Sequence, residues 1–125
     1  MDAATDTSAQ TLQEEGLTLR NLSWSPPEKK AARRAFDAAL EKALAKVMAE
    51  FKSRAEAAAT PSDMWEIESF LRQRRREIDE TFDYRYSQLP LVFCRLMQAG
   101  LLDERELAGL SEEKQEVIRS LAARR

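Results

Sequence analysis

The first sustained pattern of apolar positions begins just after Ser25. Ala32, Phe36, Leu40, Leu44, Val47, Phe51 and Ala55 recur every three or four residues, with Ala39, Ala43 and Met48 beside them. That is the spacing one helical face requires. Arg34, Glu41, Lys42, Lys52 and Glu56 fall on the other side. Ser25-Pro26-Pro27-Glu28 reads as a helix start. Ser25 can cap, Pro26 occupies the first helical position where its missing N–H costs nothing, and Glu28 completes a capping box. The predicted helix runs to about Ala58, roughly 30 residues or ~45–50 Å. A stripe that long outruns one small head, and this predicts a second long helix and a second chain to cover it.

Thr60-Pro61-Ser62-Asp63 repeats the start signal with Thr60 as cap. The stripe that follows is Met64, Ile67, Leu71, Arg74 or Arg75, Ile78 and Phe82, with Trp65 on one flank and Phe70 on the other. Two long helices joined by a short turn predict an antiparallel αα-hairpin. Leu89 to Met97 is strongly apolar, and Pro90 fits only in a first turn, so a third helix is predicted from near Ser87, with Ser87 as cap. Gly100 followed by Leu101 signals a Schellman stop. Asp103 caps a short helix ending at Gly109, and Ser111 caps a last one to about Ala123, with Val117, Ile118 and Leu121 inward. The expected fold is all-α and dimeric: a disordered tail over residues 1–24, a long helical hairpin or stalk over 25–82, and a small helical head over 83–125. Leu19, Leu22 and Trp24 are the apolar exceptions in the tail, suited to pack on the first helix as a staple or on a partner chain.

Composition narrows the chemistry. Of 125 residues, 43% are hydrophobic, many of them alanine, and only 3 are glycine, which favours helices over sheet. Twenty basic against 22 acidic residues leave a net charge of −2, so neither nucleic acid nor an anionic membrane is an expected partner. There is no histidine and one cysteine, which removes the commonest general base, the commonest zinc ligand and any internal disulfide. A cytoplasmic setting is expected, since no basic-then-apolar leader opens the chain and no run approaches ~20 apolar residues. Cys94, inside an apolar run, reads as a buried structural residue. Glu77, Asp79 and Glu80 each lie three or four residues from an arginine of the 72–76 cluster and are expected to pair there, while Asp83 reads as a solvated acid. No catalytic, metal or cofactor site is expected.

Residues 70–86 hold five arginines against four acids, which is close to neutral. Arg72, Arg74, Arg75 and Arg76 on the helix that carries Trp65 therefore suggest a protein-binding patch, because Trp and Arg are enriched at interface hot spots. Trp65 and Arg75 point within about 80° of each other. Asp83-Tyr84-Arg85-Tyr86-Ser87 is the densest polar-aromatic motif. It reads either as a junction where the tyrosine hydroxyls and Arg85 tie stalk to head, or as an exposed recognition surface.

Asp63 to Leu71, Arg75 to Asp79, Phe82 to Ser87, Gly100-Leu101-Leu102 and Glu106 to Ser111 together resemble the fluorescence recovery protein family of cyanobacteria. The likeness extends from about Ser25 to the C-terminus. It implies an all-helical homodimer with extended paired helices and small heads. The partner it implies is the orange carotenoid protein or a related carotenoid-binding domain. Family members bind that protein's light-activated red form, speed its return to the orange form and so help end quenching at the phycobilisome, without covalent chemistry or a cofactor. The resemblance places Trp65 and Arg75 in the partner-binding and dimer patch, and Arg72 of the basic cluster lies between them. Glu68 and Ser69 stand there where the family carries His and Asp. Leu91 takes the place of a head-surface aromatic, near Tyr84, Arg85 and Tyr86. These departures and the long N-terminal tail keep open a fluorescence-recovery-like dimer with a different partner, in an organism lacking the orange carotenoid protein.

Overall fold

In the computed structural model, which describes residues 22–123, the two predicted start signals form as capping boxes. Ser25 accepts from the Glu28 backbone N–H at 3.3 Å, and Glu28 Oε1 accepts from the Ser25 N–H at 2.9 Å. Helix α1 then runs over Pro26–Ala57. Thr60 and Asp63 repeat the exchange at 3.1 Å each way and open α2, Pro61–Thr81. The chain leaves the helical region at Phe82, runs without regular structure to Arg85 and turns into α3, Leu89–Gln98. A 3₁₀ turn spans Glu104–Leu107 behind the Asp103 cap, and α4, Glu112–Ala122, starts behind Ser111. No strand occurs among the described residues. The expectation for a tail over residues 1–21, Leu19 included, lies outside them.

Gly100 has φ +76°, the left-handed conformation a helix stop favours. The Leu101 N–H reaches back to the Leu96 carbonyl at 2.9 Å and the Gly100 N–H to Met97 at 3.1 Å, which completes the Schellman motif. One local expectation is corrected. Ser87 does not cap α3: residues 86–88 form a turn, and the Gln88 and Leu89 N–H groups are satisfied by the Arg85 carbonyl, so the cap position falls on Gln88 with no side-chain bond. Trp24 packs against the buried cluster that includes Ala31 and Ala32 of α1, with the Tyr86 ring centroid 5.5 Å from its own and the Lys114 ammonium 5.0 Å from its centre.

The main core joins the first half of α1 to the C-terminal helices. Ala31, Ala32, Ala35, Phe36 and Ala39 pack with Leu89, Val92, Phe93, Leu96, Leu107 and Ile118, all buried. Alanines at these positions let the other backbones approach α1 closely, so more of α1 enters the core than its larger side chains alone would suggest. Cys94 is buried in the same cluster, and burial pushes its thiol above the usual range. Glu28 fastens the two ends of the chain together. Its Oε2 accepts from the Ser111 N–H and from Lys114 Nζ, each at 2.9 Å, so one carboxylate caps α1 and grips the start of α4.

Gly109 marks the closest approach. A Cβ built there would lie 2.5 Å from the Ala31 Cβ, a backbone-anchored atom that cannot swing aside. Gly109→Ala should therefore destabilise the fold by about 1–3 kcal/mol, as overpacking does. Urea unfolding should show a lower midpoint with an unchanged slope. An unchanged midpoint would mean that the loop moves freely away from α1.

Candidate protein-binding surface

Helix α2 turns back along α1. Arg54 of α1 lies over the Phe70 ring at 4.3 Å, and Arg74 of α2 reaches Glu50 at 3.6 Å, so contacts that come later on α1 come earlier on α2. Phe70 is buried between them, with Arg74 also over its ring at 4.9 Å. Cation–π contact of this kind contributes most where water is partly excluded. Arg74 in addition pairs with Glu77 at 3.2 Å. The stripe position left between Arg74 and Arg75 thus belongs to Arg74, and Arg75 stays exposed.

That division leaves a continuous outward strip on α2. Trp65, Glu68, Arg72 and Arg75 are spaced three or four residues apart along one side of the helix, Ser69 lies next to Glu68 on the same side, and all five are exposed. Trp65 is 62% exposed, with Met64 next to it also uncovered. Glu68 accepts a charge-assisted hydrogen bond from Arg72, so this acid is engaged within its own helix. Arg75 makes no ion pair among the described residues.

The apolar stripe of α1 is covered only in its first half. Leu44 is 49% exposed and Met48 is exposed too, while Val47, Phe51, Ile67, Leu71 and Ile78 are half-buried. Large apolar side chains in one contiguous band, bordered by guanidinium groups, suit association with another protein surface.

Tyr84, Arg85 and Tyr86 form a second group, beside the start of α1. Tyr84 stacks edge-on to Phe36 at 4.8 Å, Phe36 meets Phe82 at 5.4 Å, and Tyr84 meets Tyr86 at 5.5 Å. The Tyr84 hydroxyl donates to the Lys29 carbonyl at 3.4 Å. Burial and the neighbouring Tyr86 push the Tyr84 phenol up to about 12, so it stays protonated near neutral pH. The two tyrosine rings make the junction. Arg85 does not take part in it: its side chain is exposed and grips Asp83 with two bonds from Nε at 2.9 and 3.0 Å. Asp83 is therefore not a free solvated acid, and the Arg85 guanidinium holds its carboxyl below the usual range. Leu91 is half-buried on α3. Among the described residues, no hydrogen bond, ion pair or ring contact joins this group to the α2 strip. Of the acids expected to pair with the arginine cluster, Glu77 does so, while Asp79 and Glu80 have no such partner among the described residues.

Spacing alone does not disclose three features. One is the Glu28–Ser111–Lys114 grip, whose ends are 83 and 86 residues apart. The arginine contacts on Phe70 are the second. The third is a run of four cations, Lys29, Lys30, Arg33 and Arg34, on the outer face of α1. The run is visible in the sequence as two basic doublets, and its significance depends on what surrounds it in space.

The family profile described as "photoprotection regulator fluorescence recovery protein" matches residues 24–122. The fluorescence recovery protein of Synechocystis sp. PCC 6803 is 33% identical over 99 residues, which are 79% of this chain and 91% of that one. The solved structure of the Fremyella diplosiphon fluorescence recovery protein superposes with a TM-score of 0.75 at 36% identity, covering 80% of this chain and 98% of that one. The structure of the Synechocystis protein superposes equally well, with a TM-score of 0.75, 33% identity and the same coverage.

Proposed function

Because this chain belongs to the fluorescence recovery protein family of photoprotection regulators, we propose that it is a non-enzymatic homodimer that binds the photoactivated orange carotenoid protein and speeds its return to the resting form. The observation that carries this reading is the exposed α2 strip, in which a 62% exposed tryptophan shares one helical side with Arg75, an exposed arginine with no ion pair among the described residues. The dimer is proposed on the uncovered half of the α1 stripe and its α2 neighbours. Binding acts here by differential affinity, since a partner shifts an equilibrium only by the difference in its affinity for two states. Holding the separated domains of the photoreceptor near each other raises their effective concentration and speeds closure. No acid–base group is required for this.

Arg75 serves as the charged anchor and Trp65 as the apolar contact at the patch or the dimer seam. Leu91, Tyr84, Arg85 and Tyr86 offer a second contact on the head. Arg75→Ala should slow dark recovery of photoconverted carotenoid protein severalfold while the helical circular-dichroism signal stays unchanged. Trp65→Ala should impair both recovery and dimerisation. The assay mixes purified protein with photoconverted partner and follows visible absorbance in the dark. The Glu68–Arg72 pair favours a second reading, a like-folded dimer with a different protein partner, because it occupies part of the patch with an internal contact. Recovery unaltered by a severalfold molar excess of the unmodified protein would decide for that second reading.

A further inference from the structure

The first three turns of α1 carry opposite characters on their two sides. Ala31, Ala32, Ala35 and Phe36 are buried, and Lys29, Lys30, Arg33 and Arg34 are exposed on the outer face. Lys30, Arg33, Arg34 and Asp37 border an open cleft of about 380 Å³. Asp37 pairs with Arg33 at 3.2 Å, and Glu28, in the first turn of the same helix, is engaged by Lys114 and Ser111. Lys29, Lys30 and Arg34 have no ion-pair partner among the described residues. Lys29 and Arg33 stack on the half-buried Tyr86 and Tyr84 rings at 5.4 and 4.5 Å, so the basic face continues into an aromatic one. In a chain whose net charge is −2, this concentrates positive charge in one place.

The missing negative charge lies directly upstream. Residues 1–21 contain Asp2, Asp6, Glu14 and Glu15 against a single Arg20, a balance of 1 − 4 = −3. They precede the region matched by the family profile, which starts at residue 24. Glu15 is seven residues before residue 22, a reach of up to ~23 Å for extended chain. Arg34 sits eight residues into α1, about 12 Å from the start of the helix. The chain is thus long enough for Glu15 to reach every cation of the face, and a tether this short corresponds to an effective concentration on the order of millimolar. The same segment contains Leu12, Leu17 and Leu19.

We propose that residues 1–21 dock through Glu14 and Glu15 on the basic face of Lys29, Lys30, Arg33 and Arg34, competing there with any acidic surface of a partner protein. This goes beyond the proposed function and stands whichever partner the α2 strip takes. The test uses the full chain, uniformly ¹⁵N-labelled, with a nitroxide on Gln10→Cys; Cys94 is buried and does not compete for the label. Tethering alone brings the label near α1, so the decisive quantity is the change when charge is removed. Relaxation enhancement at the amides of residues 29–34 should fall at least about twofold in the Glu14→Gln/Glu15→Gln variant, and likewise in roughly 0.5 M salt, where screening is strong. Enhancement unchanged by both treatments would overturn the proposal. Enhancement that appears when spin-labelled ¹⁴N chain is mixed with unlabelled ¹⁵N chain, and only then, would also overturn it, by assigning the occupant to a second copy.

Discussion

Leu44→Glu should convert the protein to a monomer at micromolar concentration. Leu44 lies halfway along α1, where the buried core has ended and the side chain is 49% exposed in the single chain. Met48 continues the same uncovered band one turn on. If a second chain covers the band, the substitution buries a carboxylate among apolar side chains. That costs about 3–5 kcal/mol, or roughly two to four orders of magnitude in dissociation constant. Light scattering in line with size exclusion gives the mass directly. The head should survive, because Leu44 contributes nothing to its buried cluster, and circular dichroism should still report a largely helical protein. A folded monomer of the unmodified chain at the same concentration would sink the dimer itself.

Glu28→Ala should be the most destabilising single change at the junction of the chain's two ends. The Lys114 side chain is 5% exposed and that of Glu28 13%, and their charged atoms are 2.9 Å apart. Truncating the acid leaves a buried ammonium without its counter-charge, which typically costs about 3–5 kcal/mol. Ser25 also loses the return half of its capping box, and the Ser111 N–H loses its acceptor. The double change Glu28→Ala/Lys114→Met should recover much of the loss, since it removes the stranded charge with it. The same group predicts an acid response. Burial alone would raise the Glu28 carboxyl, but hydrogen bonds from Ser25, Lys114 and Ser111 outweigh it and hold the group down at about 2. A carboxylate depressed in the folded state stabilises fully above its unfolded value of 4.5 and loses that contribution as pH falls toward 2. The gap in urea midpoint between the unmodified protein and Glu28→Ala should be smaller at pH 3 than at pH 7. A constant gap would refute the coupling.

The parts of this fold that the sequence discloses are those decided within about five residues. Ser25 with Glu28, Thr60 with Asp63, and Gly100 with Leu101 are such cases, because cap and stop geometry is local. The single side shared by Trp65, Glu68, Ser69, Arg72 and Arg75 follows from helical spacing. What escapes is decided by backbone breaks and distant partners. Asp83 and Arg85 meet because the chain leaves the helix at Phe82, and an i,i+2 pair could not face in a helix. Arg74 and Arg75 are equivalent by pattern, and only the positions of Phe70 and Glu50 on the facing surface separate them. Glu28 is visible as a cap, but its second oxygen belongs to a helix start that no periodicity connects to it.

That second oxygen also orders events during synthesis. The bond from Ser111 to Glu28 closes a loop of 83 residues, and Ile118, fully buried, enters the core later still. As the chain leaves the ribosome, α1 and α2 emerge first and can form and meet, since their contacts are sequence-near. The buried face of Ala32, Phe36 and Ala39 has no cover until α3 and α4 follow. Head closure is therefore a late step of translation-coupled folding, and it cannot finish before Ile118 has been made. A message truncated before Ile118 yields a protein that holds its hairpin contacts and displays the core side of α1. Chaperones and proteases select substrates by this kind of apolar display, so only full-length chains escape their attention.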